Sequence, residues 1–107
     1  MRNITIDTNV YSAFKKGNKK IIEAFQHVDI IGIDITVLAE LLAGFKNGNR
    51  EKQNRDDLEI FINNNRVILL NHDENTAEFY ADIYSVLKKK GTPIPTNDMW
   101  IAASAMQ

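Results

Sequence analysis

Three short apolar runs, spaced by helical patterns, limit this chain to one class of architecture. Asn3 to Asp7 alternates around Ile4 and Ile6, as a half-buried strand does. Asp29 to Asp34 (Asp-Ile-Ile-Gly-Ile-Asp) is more continuously apolar, the pattern of a strand covered on both faces. Arg66 to Leu70 (Arg-Val-Ile-Leu-Leu) is the third. Strands that alternate with helices imply an α/β domain with a mostly parallel sheet.

The helices between them carry their own punctuation. Asp7-Thr8-Asn9 is turn and N-cap chemistry, so a helix with Val10, Tyr11 and Phe14 starts there and stops near Gly17. Asn18 caps a second, with Ile21, Ile22, Phe25 and Val28 on one face. Thr36 begins a third, which is expected to end near Gly44, and Lys46 to Arg50 is a loop. Glu51 to Asn64 is a polar helix with a stripe of Leu58, Phe61 and Ile62. Asp73 caps a long helix that carries Ala77, Tyr80, Ala81, Tyr84 and Leu87 on one face and ends at Gly91. Pro93 and Pro95 force Thr92 to Thr96 into an extended path, and a final helix opens at Asp98.

With 107 residues, 44% of them hydrophobic, the chain suits one domain, residues 1–107. No apolar run approaches the roughly 20 residues that span a bilayer. Strand-like sequence follows Met1 almost at once, so no signal peptide and no membrane association are expected. There is no cysteine, which excludes disulfides and thiolate chemistry and fits a cytoplasmic protein. The formal net charge is -1, so the chain as a whole is not a basic nucleic-acid binder. Basic residues nevertheless cluster at Lys15-Lys16, Lys19-Lys20 and Lys88-Lys89-Lys90, with Arg50, Lys52 and Arg55 between. Each cluster reads either as a solvated helix face or as a phosphate-binding edge.

Three carboxylates stand out. Glu40 lies inside the run Ile35-Thr36-Val37-Leu38-Ala39-Glu40-Leu41-Leu42-Ala43, on a helix that is apolar almost all round. A carboxylate there needs a compensating cation or a solvent-filled cleft, unless it lies on a narrow exposed stripe. Asp7 ends the first strand and Asp98 opens the helix Met99-Trp100-Ile101-Ala102-Ala103. Either could be only a cap. Functional groups of parallel sheets gather beyond the carboxyl ends of the strands; Asp7 ends strand one, Glu40 follows strand two and Asp98 opens a helix after an extended segment, so the three can meet at one edge of the sheet. Hard oxygen donors without cysteine or paired histidines favour Mg²⁺ or Mn²⁺ over zinc. His27 and His72 lack partners at metal-ligand spacing and read as surface or satisfied loop residues. Asp34 lies close to the same edge, as a cap of the following helix or a supporting group. No Gly-rich phosphate loop is present, and Ser12, Ser85 and Ser104 sit inside helices, which gives a Ser-His-Asp arrangement little support. Tyr11, Phe14, Phe45 and Trp100 read as core or interface residues.

The segments Ile6-Asp7-Thr8-Asn9-Val10, Thr36-Val37-Leu38-Ala39-Glu40-Leu41 and Asn97-Asp98-Met99-Trp100-Ile101-Ala102-Ala103 resemble, in order and spacing, those of the PIN domain family, and within it the VapC-like toxins. The resemblance covers essentially the whole chain. It implies a three-layer α/β/α domain and a metal-dependent endoribonuclease that is the toxin of a type II toxin–antitoxin pair. Asp7, Glu40 and Asp98 fall on three of the family's acidic positions, which bind Mg²⁺ or Mn²⁺ and cut RNA. Thr8 and Asn9 would shape the turn that presents Asp7. A homodimer and a small VapB-like antitoxin partner are implied as well. The family's usual fourth acid, on or just after a strand following the Asp98 helix, has no counterpart before Gln107. The expectation is therefore a shortened form with its C-terminal strands missing, which would leave strand one with an unpaired edge. That departure keeps open a catalytically inactive binding or assembly module. A metal-dependent phosphohydrolase acting on DNA or a small phosphate ester also remains open.

Overall fold

A computed structural model of the chain describes residues 2–92 and Trp100. In it β1 (Asn3–Ile6) leads into α1 (Thr8–Lys15) and α2 (Lys19–Gln26). Next come β2 (Ile30–Asp34), α3 (Ile35–Lys46) and α4 (Glu51–Ile62), then β3 (Val67–Leu70) and α5 (Glu74–Lys90). The strands form one parallel sheet in the order β1-β2-β3. This is the mixed α/β architecture with a parallel sheet that the alternation of patterns implies.

Register explains the burial. Ile4 stands beside Ile31 and Ile31 beside Val67; Ile6 stands beside Ile33. These side chains share one face, because alternate residues of a strand point the same way. Both crossovers step in the same direction, so the right-handed rule puts α1 to α4 over that face. There Ile6, Ile31, Ile33 and Val67 meet Tyr11, Phe25, Val28, Val37, Leu41 and Leu58 in the main core. Phe14, Phe25 and Phe61 close its far side, with ring centroids 5.0 to 6.4 Å apart. Arg66 ties the layers together by donating from one nitrogen to the carbonyls of Phe25 (2.8 Å) and Val28 (3.0 Å).

The other face of β2 carries Gly32 and Asp34. A Cβ at Gly32 would lie 2.9 Å from the Leu70 side chain, so the glycine lets Leu70 lie across the sheet. Asp34 is fully buried.

Most helix boundaries follow from capping. Asp7, Asn18, Asp34 and Asp73 each accept a backbone N–H of the helix they precede. Gly91 closes α5 in the left-handed conformation, φ 66°. Several boundaries differ from the sequence expectation by one or two residues: β1 stops at Ile6, β2 and β3 begin at Ile30 and Val67, α3 begins at Ile35, and α2 ends at Gln26, which leaves Val28 in the core but outside the helix. The third helix runs through Gly44 to Lys46, because Phe45 in the next turn packs against the core and outweighs the roughly 1 kcal/mol cost of a helical glycine. The fourth ends at Ile62 rather than Asn64, where Asn63 caps it and the run Asn63-Asn64-Asn65 offers no apolar side chain to bury. The extended Thr92 to Thr96 segment and the helix expected from Asp98 lie outside the described residues, apart from Thr92 and Trp100. Among the described residues no helix is long and apolar enough to cross a membrane.

Candidate active site

The carboxyl ends of β1 and β2 lie side by side, and each is followed at once by a helix. Asp7 is the N-cap of α1, where one carboxylate oxygen accepts from Val10 N at 2.9 Å. The residue is exposed at the strand end, and no other hydrogen bond or ion pair to its carboxylate is found among the described residues. Next to it, the Thr8 hydroxyl is buried with no hydrogen-bond partner among the described residues.

Glu40 lies about one and a half turns into α3, on a helix that packs against α1. It is half-buried, and no hydrogen bond or ion pair reaches it among the described residues. The compensating cation that its apolar run calls for is therefore not a neighbouring Lys or Arg of the described chain. Asp98 lies outside the described residues. Among the described residues no three His, Asp or Glu side chains come together as a metal cage. The donors that are described nevertheless suit a hard divalent ion: an exposed carboxylate at Asp7 and, at Glu40, a half-buried one with no partner among the described residues.

Asp34 and His72 make a second polar cluster at the same edge. Asp34 caps α3 through Thr36 N. His72 Nε2 lies 3.0 and 3.2 Å from the two Asp34 oxygens and 3.2 Å from the Thr36 hydroxyl. The imidazole stacks on Trp100 with centroids 4.5 Å apart and planes 14° from parallel, and Tyr80 packs on the same indole at 4.4 Å. His72 is thus a satisfied loop residue, one of the two readings the sequence allowed, with a partner the sequence did not reveal. Its partner is 38 residues away and arrives through sheet register, which sets Asp34 beside Leu70, two residues before His72. Asp34 is a cap, as expected, and also a buried anchor.

Beyond Tyr11, one turn along α1 from Asp7, a cleft of about 550 Å³ opens between α1, α3 and α4. Lys15, Lys16 and Arg50 line it opposite Asp57, which Lys15 holds at 3.0 Å. That hydrogen bond is the main reason the Asp57 carboxyl is held below its ordinary value. The Lys15-Lys16 pair and Arg50, separate in the sequence, thus line one cleft. Lys52 and Arg55, by contrast, pair within α4 with Asp56 and Glu51.

The PIN domain family model matches residues 4–107. The chain belongs to the PIN domain family. Its relatives place it among the VapC-like members. It is 30% identical over 105 residues to Ribonuclease VapC1 of Haemophilus influenzae, a match covering 94% of this chain and 77% of that protein. To Ribonuclease VapC2 of Rickettsia felis it is 32% identical over 76 residues, 71% of this chain, and the match spans 55% of that protein's length. The crystal structure of VapBC2 from Rickettsia felis, bound to a DNA fragment from its promoter, superposes with a TM-score of 0.85 at 27% identity. That superposition covers 98% of this chain and 80% of the other.

Proposed function

We propose that this PIN domain is a VapC-like endoribonuclease that hydrolyses RNA phosphodiesters with Mg²⁺ or Mn²⁺ held by Asp7, Glu40 and Asp98. The observation that carries the reading is Glu40, a half-buried, mid-helix carboxylate with no cationic or donor partner among the described residues, on a helix that packs against the one Asp7 caps. Such a charge is retained against its desolvation cost when an ion compensates it. When bound, the ion supplies activation of water and stabilisation of charge on the phosphoryl oxygens. The chain's own residues do the rest. The cap to Val10 fixes the Asp7 carboxylate, and α3 carries Glu40 on a rigid frame. Lys15, Lys16 and Arg50 offer a basic wall along which a phosphate backbone can lie.

The names of the relatives support the same reading: the curated ones are ribonucleases, and the superposed structure is a toxin–antitoxin complex. On that reading residues 1–107 act as a single domain in the cytoplasm, as a homodimer restrained by a small VapB-like antitoxin.

Asp7→Asn is the informative variant, because asparagine caps a helix as well as aspartate does while removing the charge. Asp7→Asn and Glu40→Gln are each expected to lower RNA cleavage at least about a hundredfold with the melting temperature nearly unchanged. Cleavage that persists in both variants, or that EDTA leaves intact, refutes the mechanism. RNA binding of equal strength with and without Mg²⁺, with no products, would assign the chain to the inactive binding class instead.

A further inference from the structure

We infer that Asp34 and His72 form a positioning clasp that fixes the start of α3, and with it Glu40, to the chain that follows β3. The inference rests on the metal-site reading above and adds residues that do not themselves touch the ion.

Asp34 is held from three sides. It is the last residue of β2, its side chain is fully buried on the sheet face opposite the main core, and it accepts from Thr36 N in the first turn of α3. A carboxylate so buried is tolerated only when donors satisfy it. His72 Nε2 supplies one from the chain that follows β3 and also reaches the Thr36 hydroxyl at 3.2 Å. One ring edge therefore grips both the strand end and the helix start.

The face of the same ring lies flat on Trp100 at 4.5 Å. Trp100 follows Asp98 by two residues in the sequence. The imidazole thus grips the start of the Glu40 helix with its edge and packs on Trp100 with its face. Glu40 is rigidly joined to the clasp, since α3 continues unbroken from Ile35 to Lys46. Loosening the clasp lets α3 shift at its N-terminal end, and a shift of about 1 Å is enough to spoil a shared ligand set.

Two substitutions separate the hydrogen bond from the stack. His72→Gln keeps a nitrogen donor near the Nε2 position but loses the ring. His72→Phe keeps a ring on Trp100 but loses the donor. Mn²⁺ affinity is measured by calorimetry on the full 107-residue chain, with Asp7→Asn as control. Amide hydrogen exchange along α3 is followed beside it, with α4 as internal reference. The clasp predicts about tenfold weaker Mn²⁺ binding in His72→Phe, an effect typical of lost outer-shell partners, and no more than about threefold in His72→Gln. It also predicts exchange at least about tenfold faster at Thr36 to Glu40 in His72→Phe, with α4 unchanged. The reverse order, with Phe like wild type and Gln impaired, makes the ring a packing element and overturns the clasp. If His72→Phe does not fold, Thr36→Val takes its place, since it removes the hydroxyl from the same nitrogen. Mn²⁺ affinity and α3 exchange in Thr36→Val equal to wild type then overturn the clasp. Failure of the wild type to bind Mn²⁺ refutes the metal reading, not the clasp, which the α3 exchange rates then decide alone: faster supports it, unchanged ends it.

Discussion

Tyr11 shows how one core residue can carry a liability. Its ring is buried at 3% exposure and meets Phe61 edge-on at 5.2 Å, which stabilises the α1–α4 contact. Its hydroxyl is buried as well and finds no hydrogen-bond partner among the described residues. Burial, with the nearby Asp57 charge adding, pushes the Tyr11 hydroxyl up to about 12. The folded value lies above the ordinary 10.0, so this contribution is whole below pH 10 and is lost as pH rises toward about 12. Tyr11→Phe keeps the ring and removes the orphaned oxygen. It is expected to leave stability unchanged or raise it by up to about 1 kcal/mol, and to flatten the alkaline fall in the urea midpoint between pH 10 and about 12. A loss of more than about 1 kcal/mol would mean that the hydroxyl has a partner worth keeping.

The single-residue signals in the sequence were of two kinds. Asp7 and Glu40 stand out as candidates because each departs from its local pattern, one by ending a strand and the other by interrupting an apolar helix. The Asp34–His72 pair does not, because no local pattern joins residues 38 apart; only the register of β2 with β3 brings them together.

At the level of elements, caps were the most legible feature and helix interiors the least. Asn18, Asp73 and Gly91 act where their chemistry says they should, whereas Gly44 is overruled by Phe45. Sequence gives the local preference of a glycine but not the packing of the turn beyond it. The face of α5 is a similar case. Its Ala77, Ala81 and Tyr84 line up at helical spacing yet stay exposed, while the covered side carries buried Thr76 and half-buried Phe79, Tyr80, Ile83 and Leu87. Periodicity marks which residues share a face without naming what covers it.

Helix α5 also has an acid-sensitive start. In its capping box the Thr76 backbone N–H donates to Asp73 at 2.9 Å, the Thr76 hydroxyl donates at 3.0 Å, and the Asp73 N–H is bonded in turn to that hydroxyl. The Thr76 backbone bond is the chief reason the Asp73 carboxyl is held below its ordinary 3.8. A depressed folded value means the contribution is present above 3.8 and lost as pH falls through the lower folded value. Asp57, held down by Lys15, has the same sign. The urea midpoint is therefore expected to fall as pH drops below about 4, and Asp73→Asn should reduce the fall. An identical acid profile in Asp73→Asn would move the sensitivity to other groups.

At the scale of the molecule, the two faces of the sheet can be watched separately. Trp100 is the chain's single tryptophan and reports on the His72 side, while far-UV circular dichroism is dominated by α1 to α5. If residues 1–107 form one domain, the two probes are expected to unfold at the same urea concentration. Separate midpoints would divide the chain into independently folding parts. The class of fold was readable at this scale because the order of strand and helix patterns alone selects a parallel sheet. The position of Asp98 relative to Glu40 was not, because it depends on tertiary packing between segments far apart in the chain.

Parallel pairing also sets the timetable of synthesis. The backbone of Arg2 binds the Asp29 side chain 27 residues on, and Arg66 reaches back 41 residues to Phe25. The first strand therefore leaves the ribosome roughly 1 to 5 seconds before the strand it must pair with, at about 5–20 residues per second. The third strand then has to wait for nothing, since its neighbour is already in place. In a growing cell the most vulnerable form of this protein is thus the unfinished one, with the isoleucines of its first strand in water and the translation machinery crowded around it.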